Sequence, residues 1–163
     1  MLIGVVSDTH NNLKNIKKII ALFNEEKVDY VIHTGDISSA KTLEEFSALN
    51  CKLIGVYGNN DRNELGLDEI SKKYSFEFKE PPNVINIGNR NIAIFHEPDF
   101  IEEFLSKNRS IDVVLHGHTH RYTKEINKGI LYFNPGESAG ILKGQNAIGI
   151  LNLDTLTTKR VFF

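Results

Sequence analysis

The feature that most constrains this chain is a rhythm in its first third. Three short apolar runs, residues 2–6, 28–33 and 52–57, alternate with two stretches of helical pattern. In the first of those stretches Leu13, Ile16, Ile20 and Phe23 recur at spacings of three and four, one face of an amphipathic helix that Asn11 or Asn12 can cap. The second is a more polar helix over residues 41–49. Strand–helix–strand–helix–strand predicts a parallel sheet with right-handed crossovers. In such sheets functional groups collect in the loops past the carboxyl ends of the strands. Each of these three strands ends in polar residues beside a serine or glycine: Ser7-Asp8, Gly35-Asp36 and Gly58-Asn59. Groups far apart in sequence can therefore meet in space.

The remainder is richer in strands. Residues 67–74 read as a helix, and Pro81-Pro82 marks a turn or an edge. Residues 84–87 and 91–95 flank Gly88-Asn89 and read as a hairpin. Phe100, Ile101, Phe104 and Leu105 form the stripe of a short helix, and residues 112–115 form a strand that runs into His-Gly-His-Thr-His. Residues 122–126, 130–133, 147–153 and 157–163 are all strand-like. The expectation is an α/β fold in which two sheets pack face to face with helices outside. At 163 residues, without repeat or linker, the chain suits a single domain over residues 1–163. The apolar tail Val161-Phe162-Phe163 either finishes the core or packs against a second copy in a homo-oligomer.

Composition removes several classes of function. Hydrophobic residues make up 40% and charged residues 25%, ordinary for a globular protein. The formal net charge of -2 gives no basic surplus for gripping a long nucleic-acid backbone. The lysines at 14, 17 and 18 read as a solvated helix face rather than a polymer track. No apolar run reaches the length of a membrane span. The single cysteine, Cys51, permits no intrachain disulfide, and the opening residues lack the basic and apolar regions of a signal peptide. Together these predict a cytoplasmic protein without membrane partners.

The chemistry lies in the polar strand ends. They are Asp8-Thr9-His10, Gly35-Asp36, Gly58-Asn59-Asn60-Asp61, His96 after the apolar run 92–95, and Gly117-His118-Thr119-His120. Singly each has an ordinary explanation as a cap, a turn or a structural histidine. In an extended segment residues i and i+2 point the same way, so His118 and His120 can face one site. Carboxylates, imidazoles and an amide oxygen are hard-to-borderline donors. They suit manganese above all, with nickel, iron, cobalt or zinc as alternatives, and fit copper(I) or calcium poorly.

The ordered set D-x-H, G-D, G-N-x-D, H, G-H-x-H resembles the signature of the calcineurin-like metallophosphoesterases, and Asn134-Pro135-Gly136 resembles that family's late N-P-G turn. The short length resembles the small cap-less bacterial and archaeal phosphodiesterases of the family. The resemblance implies a four-layer α-β-β-α sandwich of two mixed sheets. It implies that Asp8, His10 and His120 hold one divalent ion, that Asn59, His96 and His118 hold a second, and that Asp36 bridges them. Two such ions, about 3.5–4 Å apart, clamp phosphate oxygens and acidify a shared water. Charge accounting supports this reading. Two ions, two aspartates and a hydroxide leave roughly one positive charge to attract a small phosphoester. The hydroxide then attacks phosphorus in line with the leaving group. A phosphomonoesterase, or a non-catalytic metal-binding scaffold on the same fold, is the alternative.

The chain departs from the family pattern in three places. Asn60 stands where many relatives have a histidine near the leaving group. An amide can donate a hydrogen bond in the transition state but cannot act as a general acid, which predicts a bias toward good leaving groups. Glu97 follows His96 where relatives often have glycine, and its expected role is to begin the next helix. Glu137 follows the N-P-G turn, and since a carboxylate there would repel substrate, the turn is expected to point away. Arg62 can grip a phosphate oxygen or form a surface ion pair. Asp61 is expected to pair with Arg62 or to do structural work. His33 and His116 are expected to be buried and hydrogen-bonded rather than ligands.

Overall fold

A computed structural model describes residues 1–163. The rhythm of the first third is realised as β1 (Leu2–Val6), α1 (Leu13–Glu26), β2 (Tyr30–His33), α2 (Ala40–Glu45), β3 (Lys52–Val56) and α3 (Leu67–Tyr74). The chain continues through β4 (Glu77–Lys79), β5 (Asn83–Ile87), β6 (Arg90–Ile94), α4 (Ile101–Lys107), β7 (Val113–Leu115), β8 (Thr123–Asn127), β9 (Ile130–Asn134), β10 (Ala147–Asn152) and β11 (Thr157–Phe162). The polar helix stops earlier than its pattern suggests, because a 3-10 turn over Phe46–Ala48 takes over its last part. Asn12, not Asn11, caps α1 by accepting from the Asn15 N–H.

The first sheet has the order β11-β10-β1-β2-β3-β4 and the second β5-β6-β7-β9-β8. Strands β1 to β4 are mutually parallel, and so are β6, β7 and β9; the others are antiparallel. Period-two alternation builds the layers. In β1, Ile3 and Val5 face the second sheet, where they meet Ile92, Ile94, Val113, Leu115, Leu131 and Phe133. Val6 faces the other way, onto Ile16, Ile19, Ile20 and Phe23 of α1. Outside the second sheet Ala93, Phe95 and Val114 pack with Ile101 of α4. Each buried aliphatic or aromatic side chain contributes about 1.5–3 kcal/mol. The result is the expected α-β-β-α sandwich of two mixed sheets. Strand β4 was not legible: three residues with one half-buried side chain carry too little alternation. At the tail, Val161 and Phe163 pack against the α1-side core, and Phe162 stays exposed under the Arg160 guanidinium.

Candidate metal centre

Every sequence-nominated donor hangs from the carboxyl end of a parallel strand. Asp8 and His10 follow β1, Asp36 follows β2, Asn59 follows β3, His96 follows β6, and His118 and His120 follow β7. The first four come from one sheet and the three histidines from the other. The loops that carry them are tightly wound. Asp8, His10, Asp36, His118 and His120 all have φ between 44° and 65°, a left-handed conformation that costs a non-glycine residue about 1–2 kcal/mol. Strain of this kind concentrates where a backbone must aim a side chain. The glycines of the motifs make room. A Cβ on Gly58 would fall on the Asp36 carboxylate, and one on Gly117 would fall on the Ser7 hydroxyl.

Two groups of donor atoms converge. In one, Asp8, His10 and His120 bring their ligand atoms within 4.8 Å of one another; in the other, Asp8, Asp36 and His96 do the same. The fully buried Asp8 uses Oδ2 to accept from the Ser7 hydroxyl and, at 3.1 Å, from the His118 N–H. Its Oδ1 is buried with no hydrogen-bond partner and faces His120 Nε2 at 3.7 Å. The His10 and His120 rings stack with centroids 5.6 Å apart. Ser38 Oγ lies 3.1 Å from His10 Nδ1, leaving Nε2 directed toward Asp36 Oδ2 at 3.9 Å.

On the other side of Asp36, His96 donates its Nδ1–H to the Thr34 carbonyl at 2.9 Å. A neutral ring therefore presents a bare Nε2 to Asn59 Oδ1 at 2.9 Å and Asp36 Oδ1 at 3.4 Å. His118 Nδ1 reaches the same Asn59 oxygen at 3.1 Å. Lone pairs facing lone pairs call for a cation. Burial pulls the His96 pKa down, but the hydrogen bond to Asp36 and the charges of Asp36 and Asp8 outweigh it and raise it above the usual range. Asp36 shows the converse. Burial works against its charge, yet His96 and two donors from Asn60 hold its carboxyl well below the ordinary carboxylate range. At Asp8 burial prevails over Ser7, His96 and His120, and its carboxyl is raised. The unpartnered Asp8 oxygen and the facing lone pairs fit a divalent-metal centre of carboxylate, imidazole and amide donors.

The surrounding residues meet their sequence expectations at His33, His116, Asp61 and Arg62 and depart from them at Glu137. Asn60 turns onto Asp36, its amide donating to Oδ2 at 2.7 Å and its backbone N–H to Oδ1 at 3.0 Å. Asp61 does not pair with Arg62. Its buried carboxylate accepts from the N–H groups of Asp36, Ile37, Ser38 and Gly58 at 2.7–2.9 Å, tying the second motif to the third. Arg62 pairs instead with Glu97 at 3.1 Å, so Glu97 does more than precede a helix. His33 is a strut. Gly35 N–H donates to its Nδ1, which leaves the proton on Nε2 to meet Thr9 Oγ1 at 3.0 Å. Burial pushes its pKa down to about 3. His116 is buried without joining the donors, and burial lowers its pKa too. Asn134 of the N-P-G turn donates to the Gly117 carbonyl and anchors the His118–His120 loop. Glu137 overturns its expectation. It turns inward, fully buried, and its Oε2 lies 3.8 Å from His120 Nδ1. The carboxylate sits behind the ring, so it does not confront a substrate. Its place just past β9 was the available signal.

Comparison with known proteins decides the family. The model of the calcineurin-like phosphoesterase superfamily domain matches residues 1–157. The chain belongs to that superfamily. A phosphodiesterase of Methanocaldococcus jannaschii is 39% identical over 161 residues, covering 94% of each chain. Phosphodiesterase YfcE of Escherichia coli is 27% identical over 96% of this chain and 90% of its own. A solved structure described as a novel archaeal phosphodiesterase superposes with a TM-score of 0.90 at 36% identity over the whole of both chains. The zinc complex of Vps29 from Entamoeba histolytica, 17% identical with a TM-score of 0.68 over 99% of each chain, shares the fold. This family member is a metal-dependent phosphoric ester hydrolase, and none of its helices is long and apolar enough to cross a membrane.

Proposed function

We propose that this phosphoesterase is a phosphodiesterase working with two divalent ions, manganese foremost, on a small phosphoester. The observation that carries the reading is the placement of Asp36, whose two carboxylate oxygens face His10 Nε2 on one side and His96 Nε2 on the other, at 3.9 and 3.4 Å. Asp8, His10 and His120 would hold one ion, Asn59, His96 and His118 the second, and Asp36 would serve both. The ions, when bound, supply the positive charge that binds a phosphate and a water acidified enough to attack it.

The chain's own residues set the aim. Ser7 and the His118 N–H fix Asp8 with Oδ1 turned inward. The Thr34 carbonyl fixes the His96 tautomer with Nε2 inward, and Asn60 holds Asp36 at both oxygens. Asp61 locks the two loops that present Asp36 and Asn59. No titratable side chain at position 60 can hand a proton to the departing oxygen, so ester groups that leave readily as anions are favoured. The test is metal-stripped protein re-loaded separately with manganese, nickel or zinc and assayed on bis(p-nitrophenyl) phosphate and p-nitrophenyl phosphate. Metal-dependent cleavage with the diester preferred supports the proposal. A monoester preference converts it to a phosphomonoesterase. Binding of metal without hydrolysis of either substrate points to a non-catalytic scaffold and sinks it.

A further inference from the structure

A carboxylate with no solvent exposure needs a reason, since burying charge is costly unless it is paired. Glu137 is such a group. Part of the reason is local. Its Oε2 accepts from the N–H groups of Ala139 and Gly140 at 3.0 and 3.1 Å, and its Oε1 from Leu142 N–H at 2.7 Å. The other part is His120. The Nδ1 of that ring is buried and lacks any hydrogen-bond partner, and Glu137 Oε2 stands 3.8 Å away. The opposite ring nitrogen, Nε2, faces Asp8 Oδ1 at 3.7 Å. The imidazole is thus strung between two carboxylates, with His10 stacked near one face.

A neutral imidazole has one proton for two nitrogens. Asp8 would draw it to Nε2, the atom a cation needs bare. We propose that Glu137 is a positioning residue that draws the proton to Nδ1 and so keeps His120 Nε2 free to bind metal. The inference rests on the reading of His120 as a metal ligand. Two of the other imidazoles have neutral partners for this purpose, the Thr34 carbonyl on His96 and the Ser38 hydroxyl on His10. All three inward nitrogens face a carboxylate, Asp36 for His96 and His10 and Asp8 for His120, and His120 is the ring that has a carboxylate at its outer nitrogen as well. Removing an outer partner of a metal-bound histidine typically weakens metal affinity 10–100-fold.

The experiment has two readouts, neither of which is hydrolysis. Long-range 1H–15N NMR of metal-free protein at mildly alkaline pH should show the His120 proton on Nδ1. Calorimetric titration with Mn2+ should show Glu137→Gln binding about 10–100-fold more weakly than wild type, measured below the Tm of the variant, which falls because a Gln amide cannot accept from all three N–H groups that Glu137 holds. Asn12→Ala is the control, because Asn12 anchors the same loop from outside by donating to the Ala139 carbonyl; it should bind Mn2+ like wild type. A proton on Nε2 in the wild type overturns the proposal. So does unchanged affinity in Glu137→Gln, or an equal loss in Asn12→Ala. If Glu137→Gln does not fold, the wild-type tautomer decides alone. A protein that binds Mn2+ yet cleaves no phosphoester refutes the proposed function and leaves this inference standing.

Discussion

The two halves of the metal centre are built from the same donors but stand in different electrostatic states. Around Asp36 and His96 every inward atom has a polar neighbour: Asn60 donates to both Asp36 oxygens, and His96 and Asp36 support each other's charge. Around Asp8 and His120 one carboxylate oxygen and one ring nitrogen are buried with no partner. A cation would relieve the Asp8 oxygen, while the ring nitrogen has Glu137 3.8 Å away. A buried acceptor left alone costs about 1–3 kcal/mol, which is the gain open to an ion held at Asp8 Oδ1.

Charge removal at the two aspartates separates the halves most sharply. Asp8→Asn and Asp36→Asn should both abolish turnover of bis(p-nitrophenyl) phosphate. In metal-free protein their effects on stability should have opposite sense. An amide at position 36 would face the Asn60 donors and His96, lowering stability by about 1–3 kcal/mol, or Tm by roughly 2–12 °C. An amide at position 8 tolerates the left-handed backbone and can donate to His120, so its Tm should equal or exceed wild type. Thermal melts in chelator check both; a drop for Asp8→Asn would erase the contrast. Next in size, Asn60→His should raise the rate on alkyl phosphodiesters about 100-fold by supplying a general acid, with little gain on bis-aryl esters. Equal gains on both would remove the leaving-group argument.

A third expectation concerns the strut behind the Asp36 half. His33 titrates near 6.5 unfolded and near about 3 folded. Its folded pKa is lowered, so its contribution is complete above the unfolded pKa and is lost as pH falls from 6.5 toward 3. Urea melts should show the stability gap between wild type and His33→Gln narrowing by about 2 kcal/mol from about pH 7 to about pH 5. A gap that stays constant would mean that His33 is not held neutral. Smallest is Arg62→Ala. The Arg62–Glu97 pair is exposed on its Arg62 side, and exposed pairs contribute about 0–1 kcal/mol. Stability should change by no more than about 1 kcal/mol and KM for the diester by less than about three-fold; a larger rise in KM would make Arg62 a phosphate contact.

The layers and the donors could be read from the sequence for one reason. Period-two strands such as Ile3-Gly4-Val5 and Ile92-Ala93-Ile94 say which face is buried, and a parallel sheet fixes where their carboxyl ends gather. Asp8, Asp36, Asn59 and His96 are then brought together by topology. What lay beyond the sequence depends on loop backbone and side-chain direction. Asp61 meets four amides only because Asp36 and Ser38 take left-handed conformations. Asn60 turns onto Asp36, and Glu137 turns inward through Gly136 at φ 97°. No spacing rule encodes those turns.

The donors are shared between the layers: Asp8, His10, Asp36 and Asn59 project from one sheet, and His96, His118 and His120 from the other. Ions seated among them would act as rivets through the sandwich. Pulling the sheets apart would then mean breaking coordinate bonds as well as parting oily surfaces, so resistance to unfolding and readiness for hydrolysis would be set by the same cargo.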